Sequence, residues 1–324
     1  MHIPWKTLKK HSTDLKYSGK SLCRNWLTTG GKKMKERLLF VYGTLRKGAL
    51  NAHYLDNVNC VHEQAWIQGT LFDTGSGYPA FVQRGNGRVY GELYEIPDRL
   101  WADIHYLEGY DGSEGSLFKP VTVSVTTDTV QKEAVVYVSG RESLLKTEIP
   151  EGDWMRLLFE RGLSDSFLYF AFGSCMDKER MELAGADQYF HEITGAGLPG
   201  YELRFTIASR VDGKGRADIV EEGGLSEGLL YRTDKEGLDY LYKREGVFTG
   251  MYRPAIISVQ GLDGNNYTDV LTFLVIDKQS ETAPPDHYAN EILRGAAGWL
   301  TEGYIDKLKN RIHQLQVSEK NQEV

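Results

Sequence analysis

The sequence predicts a strand-dominated α+β fold that occurs twice in the chain. Gly91-Glu92-Leu93-Tyr94 lies seventeen residues ahead of Glu108, and Gly228-Leu229-Leu230-Tyr231 lies seventeen residues ahead of Glu245. A glycine follows each glutamate. Two further pairs of segments match between the halves: residues 40–46 with 169–176, and residues 77–82 with 215–220. A duplicated domain is the economical explanation, and it singles out two of the 45 acidic residues.

Length and composition fit two globular domains. The chain has 324 residues, of which 41% are hydrophobic and 26% are charged. No apolar run approaches the roughly 18 residues that a membrane span needs, so no membrane association is expected. The three cysteines are widely separated and odd in number, which favours neither a disulfide framework nor a metal knuckle. We therefore expect a cytoplasmic protein.

Charge separates a basic leader from an acidic body. Residues 1–33 contain eight of the 38 Lys and Arg residues but only one of the 45 acidic ones. They are interpreted as a disordered or non-native leader that precedes Met34, with a targeting or binding arm as the alternative. The acidic body argues against nucleic acid as the principal partner. The predicted domains are residues 34–163 and 164–324.

In the first half, β-branched and aromatic residues predict short strands, and helical signals are brief. Helices are expected at 48–55 and 98–108, where Pro97 and Asp98 resemble a helix start, and a further short helix is expected at 154–160. The predicted strands are 38–42, 65–73, 88–96, 121–126 and 133–138.

The second half repeats this plan and then adds helices. The stretch 301–315 places Ile305, Leu308, Ile312 and Leu315 on one face, so we expect an amphipathic helix that covers its own domain. Residues 317–324 are polar and are expected to fray. The predicted strands are 167–172, 202–207, 225–233, 255–260 and 268–276, and a helix is expected at 287–294.

A turn that follows the first strand of each half is the first candidate site. The two turns read Tyr42-Gly43-Thr44-Leu45-Arg46 and Phe172-Gly173-Ser174-Cys175-Met176. Glycine lets the backbone turn sharply, and successive N–H groups there can bind a carboxylate or an oxyanion. A strand-to-helix turn without a ligand explains the same residues. Neither turn has the glycine spacing of a nucleotide-binding loop.

Glu108 and Glu245 are the second candidates, because each closes a short helical run directly before a glycine. A partly desolvated glutamate at such a helix end can act as a general base and then as a general acid. For a single glutamate, a solvated helix end is the simpler explanation, but recurrence at the same distance favours function. Histidines form no ligand cluster, and Cys175 has no base near it in the sequence. A catalytic thiol is therefore disfavoured.

At these residues the chain resembles the gamma-glutamylcyclotransferase-like family over roughly residues 36–324. The first half carries the resemblance in its turn, in Gly77-Tyr78-Pro79-Ala80 and in Leu107-Glu108-Gly109-Tyr110. The second half carries it in Arg244-Glu245-Gly246-Val247, in Tyr252-Arg253-Pro254 and in residues 288–304.

The resemblance implies two tandem domains, each a small mixed β-barrel flanked by short helices. It implies a cyclotransferase without cofactor or metal that acts on a small-molecule γ-glutamyl amine or peptide. The α-amine of that substrate would attack its own γ-carbonyl, which yields 5-oxoproline and a free amine. Glu108 and Glu245 would then move the protons, and the two turns would bind the glutamyl group.

The second turn departs from the family pattern. Members usually show Tyr-Gly-Ser-Asn, whereas this chain has Phe172-Gly173-Ser174-Cys175 and so lacks a phenol and an amide. Activity in only one domain is therefore compatible with the sequence. A protein that binds a small molecule in the same pockets without turning it over is the alternative.

Overall fold

The structure, a computed structural model, describes residues 37–322, so the interpretation of residues 1–33 lies outside the described part. The chain divides into two compact units. The first contains the described residues up to Thr126 together with Gln131–Trp154, and the second contains Thr127–Val130 and the described residues from Met155 onward. The division therefore falls between Trp154 and Met155, some residues before the boundary predicted at 163.

The first unit is built on a closed five-stranded barrel with the order β1-β5-β2-β6-β7. β1 runs antiparallel to β5 and parallel to β7, which makes the barrel mixed. A small sheet with the order β4-β3-β8 accompanies it. The elements are β1 (Arg37–Val41), β2 (Asn59–Gln68), β3 (Thr70–Asp73), β4 (Pro79–Val82), β5 (Arg88–Ile96), α1 (Trp101–Leu107), β6 (Phe118–Thr127), β7 (Gln131–Ser139) and β8 (Thr147–Glu148).

The second unit contains another closed five-stranded barrel, with the order β10-β13-β9-β15-β14. Its helices and strands are α2 (Trp154–Arg161), β9 (Phe167–Ala171), α3 (Lys178–Leu183), β10 (His191–Pro199), β11 (Glu202–Ala208), β12 (Gly215–Val220), β13 (Leu225–Thr233), α4 (Lys235–Arg244), β14 (Tyr252–Gly261), β15 (Asn266–Val275), α5 (Asp286–Ala296) and α6 (Glu302–Gln322). Strands β11 and β12 form a separate hairpin.

Strand register confirms that the two barrels are equivalent. Val41 of β1 faces Glu92 of β5, and Ala171 of β9 faces Leu229 of β13, as the sequence match requires. Gly91 precedes Glu92 and Gly228 precedes Leu229, and both positions require glycine for the same steric reason. A Cβ atom at Gly91 would lie 2.3 Å from the Val41 carbonyl oxygen, and one at Gly228 would lie 2.3 Å from the Ala171 carbonyl oxygen. Strands therefore cross too closely there for any larger residue.

Each barrel has its own apolar core, and helix α6 covers the second one. Ile305, Leu308 and Ile312 are buried in that core, and Leu315 packs against it, so the predicted amphipathic face is confirmed. The helix continues to Gln322, so the predicted fraying from residue 317 is wrong for the described residues. No helix in the described range 37–322 is long and apolar enough to cross a membrane.

Several predicted elements match the structure, and a few do not. Strands β5 and β13 have the predicted bounds. The predicted strand 65–73 is two strands, because Gly69 has a φ of 151° and interrupts it. The predicted helix 48–55 is only a 3-10 turn at Ala52–Leu55. Strands β4, β8, β10 and β12 were not predicted.

Candidate active sites

The turn after β1 is closely packed. The Arg46 N–H donates to the Gly43 carbonyl oxygen at 3.1 Å and closes the turn. A Cβ atom at Gly43 would lie 2.8 Å from Cγ of Pro79, so only glycine fits there. The N–H groups of Thr44 and Leu45 have no acceptor among the described residues. Two neighbouring donors are thus available to a ligand.

Arg46 supports this turn from inside the protein. Its Nε lies 3.2 Å from Oε1 of Glu92, and its Nη1 lies 2.7 Å from Oδ1 of Asp153. The Glu92 carboxylate also accepts from the Lys47 N–H and from the Tyr94 hydroxyl, each at 2.9 Å. Because all three charged side chains are buried, this network is a structural brace. The predicted role of Arg46 in substrate binding stays a prediction.

Glu108 stands at the end of helix α1. Its N–H donates to the Ile104 carbonyl oxygen, and Gly109 then leaves the helix with a φ of 59°. The residue keeps some access to solvent, but its carboxylate lies deep enough that desolvation raises its pKa to about 7. Within residues 37–322 this carboxylate has no hydrogen bond or salt bridge. An unpaired carboxylate that titrates near neutrality suits an acid–base catalyst.

Two tyrosines that are linked by hydrogen bonds feel the charge of this carboxylate. The Tyr42 hydroxyl donates to the Tyr137 carbonyl oxygen at 2.7 Å, and the Tyr137 hydroxyl lies 2.6 Å from Nδ1 of His105. The pKa of Tyr42 is raised by burial and by the negative charge of Glu108, which places the phenol in the field of that carboxylate. Burial and Glu108 also raise the pKa of Tyr137. These effects place Tyr42, the first residue of the turn, near Glu108, and a single site formed by the turn and the glutamate stays a prediction.

The second unit contains a cavity of about 570 Å³ at the equivalent place. The turn residues Phe172, Gly173, Ser174 and Cys175 line it together with Glu245, so the structure brings these predicted residues together. Met176 is buried in the apolar core instead. As in the first turn, the N–H groups of Ser174 and Cys175 have no acceptor among the described residues.

Glu245 has partners that Glu108 lacks. The Cys175 thiol donates to Oε1 of Glu245 at 3.5 Å, and Nε of Arg244 lies 3.9 Å from the same oxygen. Burial raises the pKa of Glu245, while Arg244 and the thiol act in the opposite direction. Burial also raises the pKa of Cys175, so the thiol is a proton donor near neutral pH.

The second turn has an apolar pair where the first turn has the ion pair of Arg46 and Glu92. Met176 and Leu229 occupy the positions that Arg46 and Glu92 occupy in the first unit, and both are buried. The Tyr231 hydroxyl donates to the Cys175 carbonyl oxygen at 3.2 Å. An apolar pair thus replaces an ion pair at the same point of the fold. Replacing a buried ion pair by well-packed apolar residues often costs a protein no stability.

Other functional candidates came only from the structure. In the second cavity these are Arg244, Arg216, Tyr252 and Tyr288, and beside Glu108 they are His105 and Tyr137. The Tyr288 hydroxyl accepts from the Ala217 N–H at 3.1 Å and lies where a Cβ atom at Gly173 would touch it. In the described range, no group of three or more His, Cys, Asp or Glu side chains could hold a metal ion.

Comparison with known proteins identifies the family. The family model described as "Gamma-glutamyl cyclotransferase, AIG2-like" matches residues 39–156, and the "AIG2-like family" model matches residues 226–308. The chain is 43% identical over 281 residues to "Putative gamma-glutamylcyclotransferase YkqA" of Bacillus subtilis, covering 86% of this chain and 98% of that protein. The chain belongs to the gamma-glutamylcyclotransferase-like family.

Structures and smaller relatives agree with this membership. The crystal structure of YkqA matches this gamma-glutamylcyclotransferase-like chain with a TM-score of 0.77 and 40% identity, over 86% of this chain and 98% of that one. "Gamma-L-glutamyl-butirosin B gamma-glutamyl cyclotransferase" of Niallia circulans is 32% identical over 147 residues, which is 44% of this chain and 94% of that protein. The predicted tandem of two such domains is confirmed.

Proposed function

We propose that the protein is a cyclotransferase that converts a γ-glutamyl amine or peptide to 5-oxoproline and a free amine. The observation that carries the proposal is a desolvated glutamate in each barrel, held at a helix end near a turn with free N–H donors. Membership of the gamma-glutamylcyclotransferase-like family supports it. The proposed reaction uses only side-chain and main-chain groups of the protein.

The reaction needs one residue to move a proton twice. The glutamate carboxylate first takes a proton from the substrate α-ammonium, and the freed amine attacks the γ-carbonyl carbon. A new C–N bond then closes the five-membered ring, and the carbonyl oxygen becomes an oxyanion. The attacking nitrogen then still carries one proton more than a lactam nitrogen. The protonated glutamate donates its proton to the leaving nitrogen and takes the surplus proton from the ring nitrogen. When the bond to the leaving nitrogen breaks and the oxyanion becomes the lactam carbonyl, the glutamate passes this second proton to the expelled amine.

Positioning supplies much of the rate, because the nucleophile and the electrophile belong to one molecule. Holding them in an aligned geometry can account for up to roughly 7–11 kcal/mol of a barrier. The free N–H groups of Thr44 and Leu45, and of Ser174 and Cys175, are suited to hold the substrate carboxylate or the oxyanion. Glu108, with its pKa near 7, can exchange protons at neutral pH.

Binding without turnover is the second candidate, and one observation favours it for the second unit alone. Glu245 accepts from the Cys175 thiol and lies near Arg244, so its carboxylate is less free than that of Glu108. Phe172 also lacks the hydroxyl of Tyr42. In this case the second cavity would hold a γ-glutamyl compound as a ligand.

The test is release of 5-oxoproline by the full chain from γ-glutamyl amino acids, amines and peptides. Glu108→Gln and Glu245→Gln keep the shape of each side chain but remove its acid–base capacity, and the exposed Glu114→Gln is the matched control. We expect Glu108→Gln to abolish turnover in the first site. Equal rates for the wild type, both variants and the double variant would exclude the glutamates from the reaction. Tight binding without any turnover would establish the binding candidate.

A further inference from the structure

The second site has an arginine directly before its proposed acid–base residue, where the first site has an apolar side chain. Arg244 directly precedes Glu245 and lines the 570 Å³ cavity, and only 17% of its side chain is exposed. The residue directly before Glu108 is Leu107. Two sites of the same architecture therefore differ by one positive charge beside the proposed acid–base residue.

Neutral groups hold the Arg244 guanidinium in place. Its Nε donates to Sγ of Cys175 at 3.0 Å, its Nη2 donates to Oγ of Ser174 at 2.9 Å, and its Nη1 lies 3.4 Å from the Tyr240 hydroxyl. Within residues 37–322, its nearest carboxylate is that of Glu245, at 3.9 Å. The Glu245 carboxylate takes a proton in the proposed reaction. Once it is protonated, Arg244 has no anionic partner within residues 37–322.

The other arginines of this cavity are already paired. Arg180 lies 3.6 Å from a carboxylate oxygen of Glu291, and Arg216 lies 2.8 Å from one of Asp212. A partly buried arginine without a strong anionic partner is a suitable binding group for a carboxylate. Arg244 is thus the cation in this lining that is best placed to receive a ligand anion.

The comparison of the two sites indicates which ligand carboxylate this is. Every γ-glutamyl substrate carries an α-carboxylate, and both turns offer the same pair of free N–H groups to it. A positive charge at this position, which the first unit fills with Leu107, is not needed to recognise the glutamyl part that all these substrates share. It therefore matches the part of the substrate that varies, which is the leaving group.

We propose that Arg244 is a specificity-determining residue that binds a carboxylate on the leaving group of the γ-glutamyl substrate in the second site. This inference rests on the proposed cyclotransferase function. The second site then prefers amino acid or peptide leaving groups with a carboxylate close to the scissile nitrogen. The first site, with Leu107 at the same position, has no such preference.

The test uses the full chain with Glu108→Gln, so that only the second site turns over. Two substrates of equal size are compared by kcat/KM: γ-glutamylalanine, whose leaving group carries a carboxylate, and γ-glutamylalaninamide, whose leaving group is uncharged there. We expect Arg244→Met to lower kcat/KM for γ-glutamylalanine on the order of 10- to 100-fold, the size typical of a lost charged hydrogen bond. The value for the amide should change less than about threefold, and Arg244→Lys should restore part of the preference. Arg180→Met is the matched control and should leave the ratio between the substrates unchanged.

The outcomes separate this inference from the proposed function. An equal loss on both substrates would overturn it, because Arg244 would then serve the glutamyl part or the fold. Turnover by the wild type but none by Glu108→Gln would overturn it too, since the second site would not be catalytic. Absence of 5-oxoproline from the wild type on every substrate would instead refute the cyclotransferase proposal itself.

Discussion

Glu108→Gln is expected to stabilise the first unit at neutral and alkaline pH while it removes activity there. The pKa of Glu108 is about 7 in the folded protein against an ordinary value of 4.5, because burial disfavours the ionised form. The folded state therefore binds the proton more tightly than the unfolded chain. Between pH 4.5 and 7 the free energy of unfolding should fall as the pH rises. The full effect corresponds to about 3 kcal/mol, which is an upper limit because Glu108 keeps some access to solvent.

Glutamine carries no charge at any pH and avoids this cost. We expect the variant to exceed the wild type in unfolding free energy by under about 1 kcal/mol at pH 5 and by up to about 3 kcal/mol at pH 8. Urea unfolding of the full chain at both pH values measures the difference, and the exposed Glu114→Gln should show none of it. A variant that is less stable than the wild type at pH 8, or a difference that does not change with pH, would refute the reasoning. Either result would mean that the Glu108 carboxylate has a stabilising partner.

Three further substitutions test how the first turn is supported. Gly43→Ala places a Cβ 2.8 Å from a proline ring, so it should lower the free energy of unfolding by about 1–3 kcal/mol and remove most of the turnover. The control Gly115→Ala, whose nearest contact is at 3.7 Å, should lower it by under about 0.5 kcal/mol. Thermal unfolding measures the stability, and 5-oxoproline release measures the turnover. Arg46→Met removes the cation from two buried carboxylates and should cost about 3–5 kcal/mol, and adding Glu92→Leu should recover part of this loss in urea unfolding. An additive second loss would contradict the brace. Tyr42→Phe removes a 2.7 Å hydrogen bond to a main-chain carbonyl and should cost about 0.5–1.5 kcal/mol, so an unchanged melting temperature would count against that bond.

The strands that were predicted correctly are those that a local sequence pattern determines. Strand β5 was predicted with its observed bounds, because a run of β-branched and aromatic residues is bounded by turn residues. Strand β10 was missed, since Gly195, Ala196 and Gly197 have low strand propensity. A Cβ atom at Gly195 would lie 2.1 Å from the Trp299 carbonyl oxygen, so the requirement for glycine comes from a residue about one hundred positions away. Local propensity does not contain that information.

The site shows the same limit. The spacing of Gly-x-Leu-Tyr to glutamate identified Glu108 and Glu245, because the distance along the chain is itself the repeated feature. The partners of those residues come from distant segments. Cys175 meets Glu245 across 70 positions, and Arg46 meets Asp153 across 107. The pairing of Arg46 with two carboxylates in the interior was therefore not predictable from the turn motif.

The two glutamates show why equivalent positions need not have equivalent chemistry. Backbone geometry places both at a helix end before a glycine in the left-handed region, with φ values of 59° at Gly109 and 62° at Gly246. For Glu108, desolvation alone raises the pKa, whereas for Glu245 Arg244 and the Cys175 thiol oppose the same desolvation. The barrel does not need Arg244 or Cys175, because the first unit has Leu107 and Leu45 at the equivalent positions. The fold therefore fixes where the carboxylate stands, and a few neighbouring side chains set how readily it takes a proton and which ligand charge it tolerates.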